Sequence, residues 1–365
     1  MYKEEQLVRV AKRENNKKRN YLVVNQLQGK HIPVKPGEAF SMFKALADTC
    51  KDAYKNEKLL IVGFAETATA IGAAVAVELG TTYIQTTREV VENVEYLFFS
   101  EEHSHATEQK LVKNDMDVIF ETIDRILFVE DEVTTGKTIR NIINILEKQY
   151  DKKIKFSVAS LLNGMNEEAL QTYQDREILL HYLVKTNHDV YEKQAEAYKG
   201  DGMYIPCKAE KTQEIEEITA DGWMNTRRLT DTVQYTQAVE QLWNQVKNHI
   251  GMDCLQRVLV VGTEEFMYPA LYVAKKIEEC GLEVYCHSTT RSPIAVSSEE
   301  SYPLHTRYEL RSLYDSNRTT FLYDIGEYDQ VIIITDAHKN EEQGLNSLVN
   351  ALAVKNNKIS LFRWK

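Results

Sequence analysis

The segment Ile126-Leu127-Phe128-Val129-Glu130-Asp131-Glu132-Val133-Thr134-Thr135-Gly136-Lys137-Thr138 constrains this chain more than any other. An apolar strand ends in carboxylates, and a small-residue turn then opens a helix rich in Ile and Leu. Such a strand delivers Glu130 and Asp131 to the edge of a sheet, where neighbouring carboxylates accept hydrogen bonds from a pair of ribose hydroxyls. Backbone N–H groups of the turn, with the hydroxyls of Thr134, Thr135 and Thr138, wrap a phosphate at the positive end of the helix. The pattern describes a site for a phosphorylated sugar. Gly136-Lys137-Thr138 would also end an ATPase P-loop, but that motif needs a glycine where Asp131 stands. A buried strand with a solvated acidic end and a capped helix is the plain packing alternative.

Length and composition fit two α/β domains with full cores. The chain has 365 residues, 43% hydrophobic and 27% charged. Its five cysteines (Cys50, Cys207, Cys254, Cys280 and Cys286) are scattered and lack Cys-x-x-Cys spacing, which suits a reducing compartment. The N-terminus has no apolar signal-peptide core, and no apolar run reaches the ~20 residues that span a bilayer. These features predict a cytoplasmic protein without a membrane partner. A formal net charge of −11 argues against a nucleic-acid partner, because such binding rests on phosphate neutralisation.

Strands alternate with helices along the first half: Leu59 to Gly63, a buried Ala-rich helix from Ala68 to Leu79, Tyr83 to Gln85, Arg125 to Val129 and Lys155 to Leu162. This alternation predicts a parallel sheet covered on both faces, with ligands at the carboxyl ends of its strands. Three loops emerge there. The first, Gly63 to Ala70, is made of small residues whose backbone can approach an anion, although tight strand-to-helix packing explains them equally well. The second places Arg88, a forked cation for phosphate oxygens, after a strand end. The third is the acid-and-threonine loop itself. Between Arg88 and that loop lies Ser100-Glu101-Glu102-His103-Ser104-His105-Ala106-Thr107, which offers groups for metal ligation or proton transfer near neutral pH.

The strand–acid–threonine segment resembles the phosphoribosyl-diphosphate (PRPP) motif of type I phosphoribosyltransferases. That resemblance implies a Rossmann-like parallel-sheet domain in which Glu130 and Asp131 hold the ribose hydroxyls. Thr134, Thr135, Gly136, Lys137 and Thr138 would hold the 5′-phosphate, and Ala65, Glu66, Thr67, Ala68 and Arg88 the pyrophosphate. Glu102, His103 and His105 would act from a loop that closes over the reacting centre. Mg2+ is the implied cofactor, meeting Glu130 and Asp131 through the ribose hydroxyls or water, and a homodimer is expected by analogy. Residues 19–34, the Gly63 loop, the Glu-Glu-His-Ser-His run and Glu130 to Gly136 narrow the likeness further. They are similar to orotate-phosphoribosyltransferase-like proteins of bacterial tellurite-resistance and stress-response clusters, whose C-terminal domain is named for a Thr-Arg-Ser-Pro tetrapeptide. Here that tetrapeptide is Thr290-Arg291-Ser292-Pro293. The expected activity is transfer of phosphoribose to a nitrogenous base-like acceptor in a nucleoside-like pathway. The alternative is a PRPP sensor that binds without turnover. Enzymes of 6-oxopurines carry an Asp where this chain has Thr134, so hypoxanthine and guanine fit poorly and an orotate-like or unusual base fits better.

The second half echoes the first. Arg257 to Glu265, a helix and Val284 to Arg291 repeat the order of Leu59 to Gly63, its helix and Tyr83 to Arg88. Ile334-Thr335-Asp336 parallels Val129-Glu130-Asp131, but no threonine-rich loop follows it. We therefore expect a second, degenerate copy of the α/β architecture, with Thr290, Arg291 and Ser292 as candidates for a further ligand. The expected boundaries are residues 1–165 for the phosphoribosyltransferase-like domain (1–35 a hood-like segment), 166–250 for a connector with an amphipathic helix, and 251–365 for the C-terminal domain. Arg227-Arg228 in the connector reads as a solvated basic pair.

Overall fold

The fold is described from a computed structural model covering residues 2–14, 19–99, 109–251, 255–338 and 342–365. The strands of the first half are β1 (Val8–Lys12), β2 (Tyr21–Asn25), β3 (Leu59–Gly63), β4 (Thr82–Gln85), β5 (Tyr96–Phe99), β6 (Gln109–Val112), β7 (Arg125–Val133), β8 (Lys155–Asn163) and β9 (Leu179–Lys185). Those of the second half are β10 (Met203–Pro206), β11 (Glu216–Ala220), β12 (Thr230–Asp231), β13 (Arg257–Gly262), β14 (Glu283–Ser288), β15 (Thr306–Arg311), β16 (Thr319–Tyr323), β17 (Gln330–Thr335) and β18 (Ile359–Trp364). The helices are α1 (Glu4–Leu7), α2 (Pro36–Lys51), α3 (Thr69–Leu79), α4 (Lys113–Ile119), α5 (Lys137–Gln149), α6 (Glu167–Asp175), α7 (Tyr191–Ala197), α8 (Thr232–His249), α9 (Tyr268–Glu279) and α10 (Glu342–Ala353).

The chain divides into two compact units, each assembled from separate stretches: residues 1–4, 40–187 and 224–237 form one, and 5–39, 188–223 and 238–365 the other. The expected hood-like segment thus falls largely in the second unit. The expected connector supplies strands to both units.

The first unit is built on a six-stranded sheet ordered β12-β4-β3-β7-β8-β9. All neighbours in it are parallel except the short β12–β4 edge pair, Thr230↔Tyr83 and Asp231↔Thr82. The apolar runs of β3 and β7 are buried on both faces, as strands covered by helices must be. From β3 the chain passes through α3 to β4 on one side, and later enters β7 on the other. That reversal makes the carboxyl ends of β3 and β7 the switch point of the sheet. Helix α3 packs unusually close: a Cβ on Gly72 would lie 2.8 Å from the Gly63 Cα, so glycine is required on the helix. Tyr83 fixes the approach by donating its hydroxyl to the Thr69 carbonyl at 2.9 Å.

The second unit holds a five-stranded sheet ordered β11-β18-β17-β13-β14, with every neighbouring pair parallel. A three-stranded sheet (β10-β15-β16) and the β1–β2 hairpin complete it. Its largest core joins Leu259, Val261, Ile333 and Leu361 of the parallel sheet to Leu345, Leu348 and Leu352 of α10. Here too the chain goes from β13 through α9 to β14 and returns to β17 on the opposite side of β13. The expected second α/β domain is therefore present.

Candidate active site

The site of the first unit grows from the ends of β3, β4 and β7. The acids lie within the strand itself, because β7 runs to Val133 rather than ending at Val129 as the sequence suggests. Its last residues pair with β8, Glu130 opposite Ser160 and Glu132 opposite Leu162. This pairing holds the acids on a rigid element and leaves Glu130, Asp131 and Glu132 partly exposed at the sheet edge.

Asp131 is the electrostatic centre of the crevice. Burial of its surroundings and the adjacent Glu132 carboxylate raise its pKa to about 6, while a hydrogen bond from Thr67 pulls the other way. The Phe64 N–H donates to the Val129 carbonyl at 3.1 Å, which joins the loop after β3 to the acidic end of β7.

Gly136 turns the chain into α5 with φ 67°, the left-handed region that favours glycine. Its carbonyl accepts a 2.7 Å hydrogen bond from the buried Tyr173 hydroxyl. Thr135 accepts the Lys137 N–H through its side-chain oxygen at 3.3 Å, and Thr134, Thr135 and Thr138 stay partly exposed around the start of the helix. Helix α5 then buries Ile139, Ile142, Ile143 and Leu146, which fixes its amino end at the crevice.

The loop after β3 is held from behind. The Ala65–Glu66 peptide is cis. The Ala65 N–H donates to the Thr86 hydroxyl oxygen at 2.8 Å, and the Thr86 hydroxyl in turn donates to Gln109. Gln109 closes the ring by donating its amide to the Ala65 carbonyl at 2.5 Å. Both Thr86 and Gln109 are buried. Sequence reasoning missed this ring, since a lone Thr and a lone Gln carry no motif. Arg88, partly buried, follows from the end of β4 through Thr86 and Thr87.

The structure thus brings Glu130, Asp131, Thr134, Thr135, Gly136, Lys137 and Thr138 onto one strand–turn–helix, with the loop of Ala65, Glu66, Thr67 and Ala68 fastened beside it by the bond from the Phe64 N–H to the Val129 carbonyl. Glu102, His103 and His105 lie outside the described residues. Arg228, read as solvated, instead forms a two-pronged pair with Asp115 (2.7 and 2.8 Å), and Arg227 is buried. In the second unit Thr290 is buried, Arg291 is paired with Glu264 and Ser292 accepts the Tyr323 hydroxyl at its carbonyl.

A phosphoribosyl transferase family model matches residues 7–188, and a model for the TRSP domain C-terminal to it matches residues 226–352. No curated protein matches the chain. Among solved structures, the adenine phosphoribosyltransferase of Rhodothermus marinus is similar over 50% of this chain and 96% of its own, with 15% identity and a TM-score of 0.37. The APRTase of Giardia lamblia is similar over 50% and 96%, with 17% identity and a TM-score of 0.36. The adenine phosphoribosyltransferase of Saccharomyces cerevisiae covers 49% and 95%, with 13% identity and a TM-score of 0.33. Among the described residues no helix is long and apolar enough to cross a membrane. The strand–acid–threonine crevice and the matching family model together make residues 7–188 a phosphoribosyl transferase domain followed by a TRSP domain, and the chain an enzyme of the pentosyltransferase type.

Proposed function

We propose that the enzyme transfers the phosphoribosyl group of PRPP to a nitrogenous base-like acceptor and releases pyrophosphate. The observation that carries this reading is the strand–turn–helix that sets Glu130 and Asp131 on β7 directly before the turn into α5, with the loop after β3 fastened beside it by the 3.1 Å bond from the Phe64 N–H to the Val129 carbonyl. In this reading Glu130 and Asp131 accept the ribose hydroxyls, and residues 134–138 wrap the 5′-phosphate at the amino end of α5. Residues 65–68 and Arg88 hold the pyrophosphate. The acceptor nitrogen attacks C1 of the ribose as the C1–O bond to pyrophosphate breaks, through an oxocarbenium-like state and with inversion. The chain's residues mostly position the reactants and neutralise charge.

Mg2+ suits the donor set. The Glu130 and Asp131 carboxylates are hard oxygen groups that would meet the ion through the ribose hydroxyls or water, and a divalent cation would favour the ionised form of Asp131. When bound, the ion neutralises charge on the leaving pyrophosphate. From the sequence resemblance we also propose an orotate-like or unusual base, a homodimer, a cytoplasmic location, and a nucleoside-like product made under stress such as tellurite exposure.

Calorimetric titration of PRPP with and without Mg2+, on wild type and on an Asp131→Asn, Thr135→Ala variant, tests the reading. Magnesium-dependent binding that the variant loses is expected, followed by pyrophosphate release in a screen of bases. Binding without release for any base would favour the sensor role. No wild-type binding would overturn both.

A further inference from the structure

The two units share more than an order of strands. In the first, the Thr86 N–H donates to the Gly63 carbonyl at 2.9 Å and the Ala65 N–H to the Thr86 hydroxyl at 2.8 Å. In the second, the Thr289 N–H donates to the Gly262 carbonyl at 3.2 Å and the Glu264 N–H to the Thr289 hydroxyl at 3.0 Å. Thr87 and Lys110 exchange both backbone hydrogen bonds, and so do Thr290 and Phe321. Gly63 lies opposite Gln85, as Gly262 lies opposite Ser288. Gly63 also lies opposite Val129, and Val261 opposite Ile333, so the register continued by one residue matches Asp131 with Asp336. These bonds pair Ala65 with Glu264 and Arg88 with Arg291.

What differs is the side chain on the loop. Glu264, at φ 47° and 1% exposed, sends its carboxylate into the crevice where the first unit has the methyl group of Ala65. One oxygen accepts from Arg291 Nε and Arg318 Nη1, both at 2.8 Å, and the other from the Ser312 hydroxyl at 2.5 Å. The fully buried Lys30 ammonium donates to the carbonyls of Glu264 and Thr289, at 2.7 and 2.9 Å, and locks the loop in place. Tyr314 donates to Asp336 at 2.7 Å, so the loop between β15 and β16 is tied to the crevice by both Ser312 and Tyr314. Gly344 of α10 seats that loop, since a Cβ there would overlap the Ser312 carbonyl.

We infer that the second crevice is a duplicated phosphoanion cradle closed by its own carboxylate, with Glu264 standing where the first unit takes pyrophosphate. Two guanidiniums meeting one carboxylate oxygen form the grip a diphosphate would otherwise receive, and Glu265, 3.4 Å from Arg291, balances part of their charge. The inference rests on reading the first crevice as a phosphoanion site. It predicts that wild-type unit two takes no pyrophosphate, and that removing the Glu264 charge opens the cradle.

The test is titration of inorganic pyrophosphate into the full-length wild type, Glu264→Ala and Glu264→Gln, with fold checked by circular dichroism. Each variant is expected to bind one equivalent more than wild type, and pyrophosphate is expected to raise its melting temperature. The added equivalent should persist when Arg88→Ala is introduced to disable the first crevice. A wild type that binds none while the variants bind one would count against the first crevice and not against the second. A folded variant with no added equivalent would overturn the inference. So would variants that fail to fold with or without pyrophosphate, because the carboxylate would then do more than replace an anion.

Discussion

Asp131 sits where desolvated surroundings and a neighbouring carboxylate both favour its protonated form, so it titrates at about 6 instead of in the usual carboxylate range. Between about pH 4 and pH 6 the folded protein holds a proton that the unfolded chain has released. The stabilisation from this group is therefore complete below that window and is lost as the pH rises through 6. The ionised form that accepts ribose hydroxyls appears over the same interval. PRPP affinity should climb through pH 6 while the ligand-free melting temperature loses ground, and Asp131→Asn should flatten both trends. PRPP phosphates also titrate near pH 6, so the readout is the difference between wild type and variant in calorimetry and thermal unfolding from pH 5 to 7.5; parallel profiles would remove Asp131 from both roles. Gly136 makes a second residue-scale case. Alanine there meets a positive φ and overlaps the Tyr173 hydroxyl. Gly136→Ala should cost about 2 kcal/mol and weaken PRPP binding, whereas Tyr173→Phe, which removes only the bond to the Gly136 carbonyl, should cost about 1 kcal/mol. Denaturant unfolding of both variants checks the order. The strand, acids and threonine turn were legible because their chemistry is local to one stretch of chain. Thr67 acting on Asp131, and Gln109 bridging Ala65 and Thr86, join residues far apart in sequence and leave no local pattern.

At the scale of elements, hydrophobic patterning located α3, α5 and α8: residues 69–76 of α3 are all buried, whereas α5 and α8 each bury one face. It did not locate β9 and β12. The outer strand β9 is exposed or half-buried except at Val184, and β12 has two residues, so neither shows a usable alternation. That is why the first unit extends beyond residue 165. The segment carrying β12 is fastened by Asp115, which is 8% exposed, receives the Arg228 guanidinium in two bonds and also accepts the Leu229 N–H at 2.9 Å. A second fastening is the 2.8 Å bond from the Gln85 N–H to the Thr226 carbonyl. Removing Arg228 strands a largely buried carboxylate, so Arg228→Ala should cost about 2–4 kcal/mol. Asp115→Asn, which keeps an acceptor for the Leu229 N–H, should cost less. A double-mutant cycle by denaturant unfolding would measure the coupling. A value near zero would mean that the Arg228–Asp115 pair does not help to fasten the segment carrying β12.

For the whole molecule, the repeated strand order separates architecture from chemistry. Both units place a glycine-ended strand, a threonine-braced loop and an acid at a switch point, yet the first leaves Ala65 on its loop and the second fills the equivalent position with Glu264. Two crevices of one architecture should therefore respond differently to the same ligand. With Mg2+ and PRPP at about a hundred times the dissociation constant, binding stabilises the unit that holds it by about 2.7 kcal/mol. Amide hydrogen exchange should slow in residues 63–69, 86–89 and 130–140. No such slowing should reach residues 262–265 or 289–292, whose loop is already bound by Arg291, Arg318 and Lys30. Glu264→Gln with pyrophosphate should extend protection to the second set. Protection of both sets in the wild type would mean that the second crevice takes PRPP as it stands, and that the Glu264 carboxylate yields to a phosphate instead of excluding it.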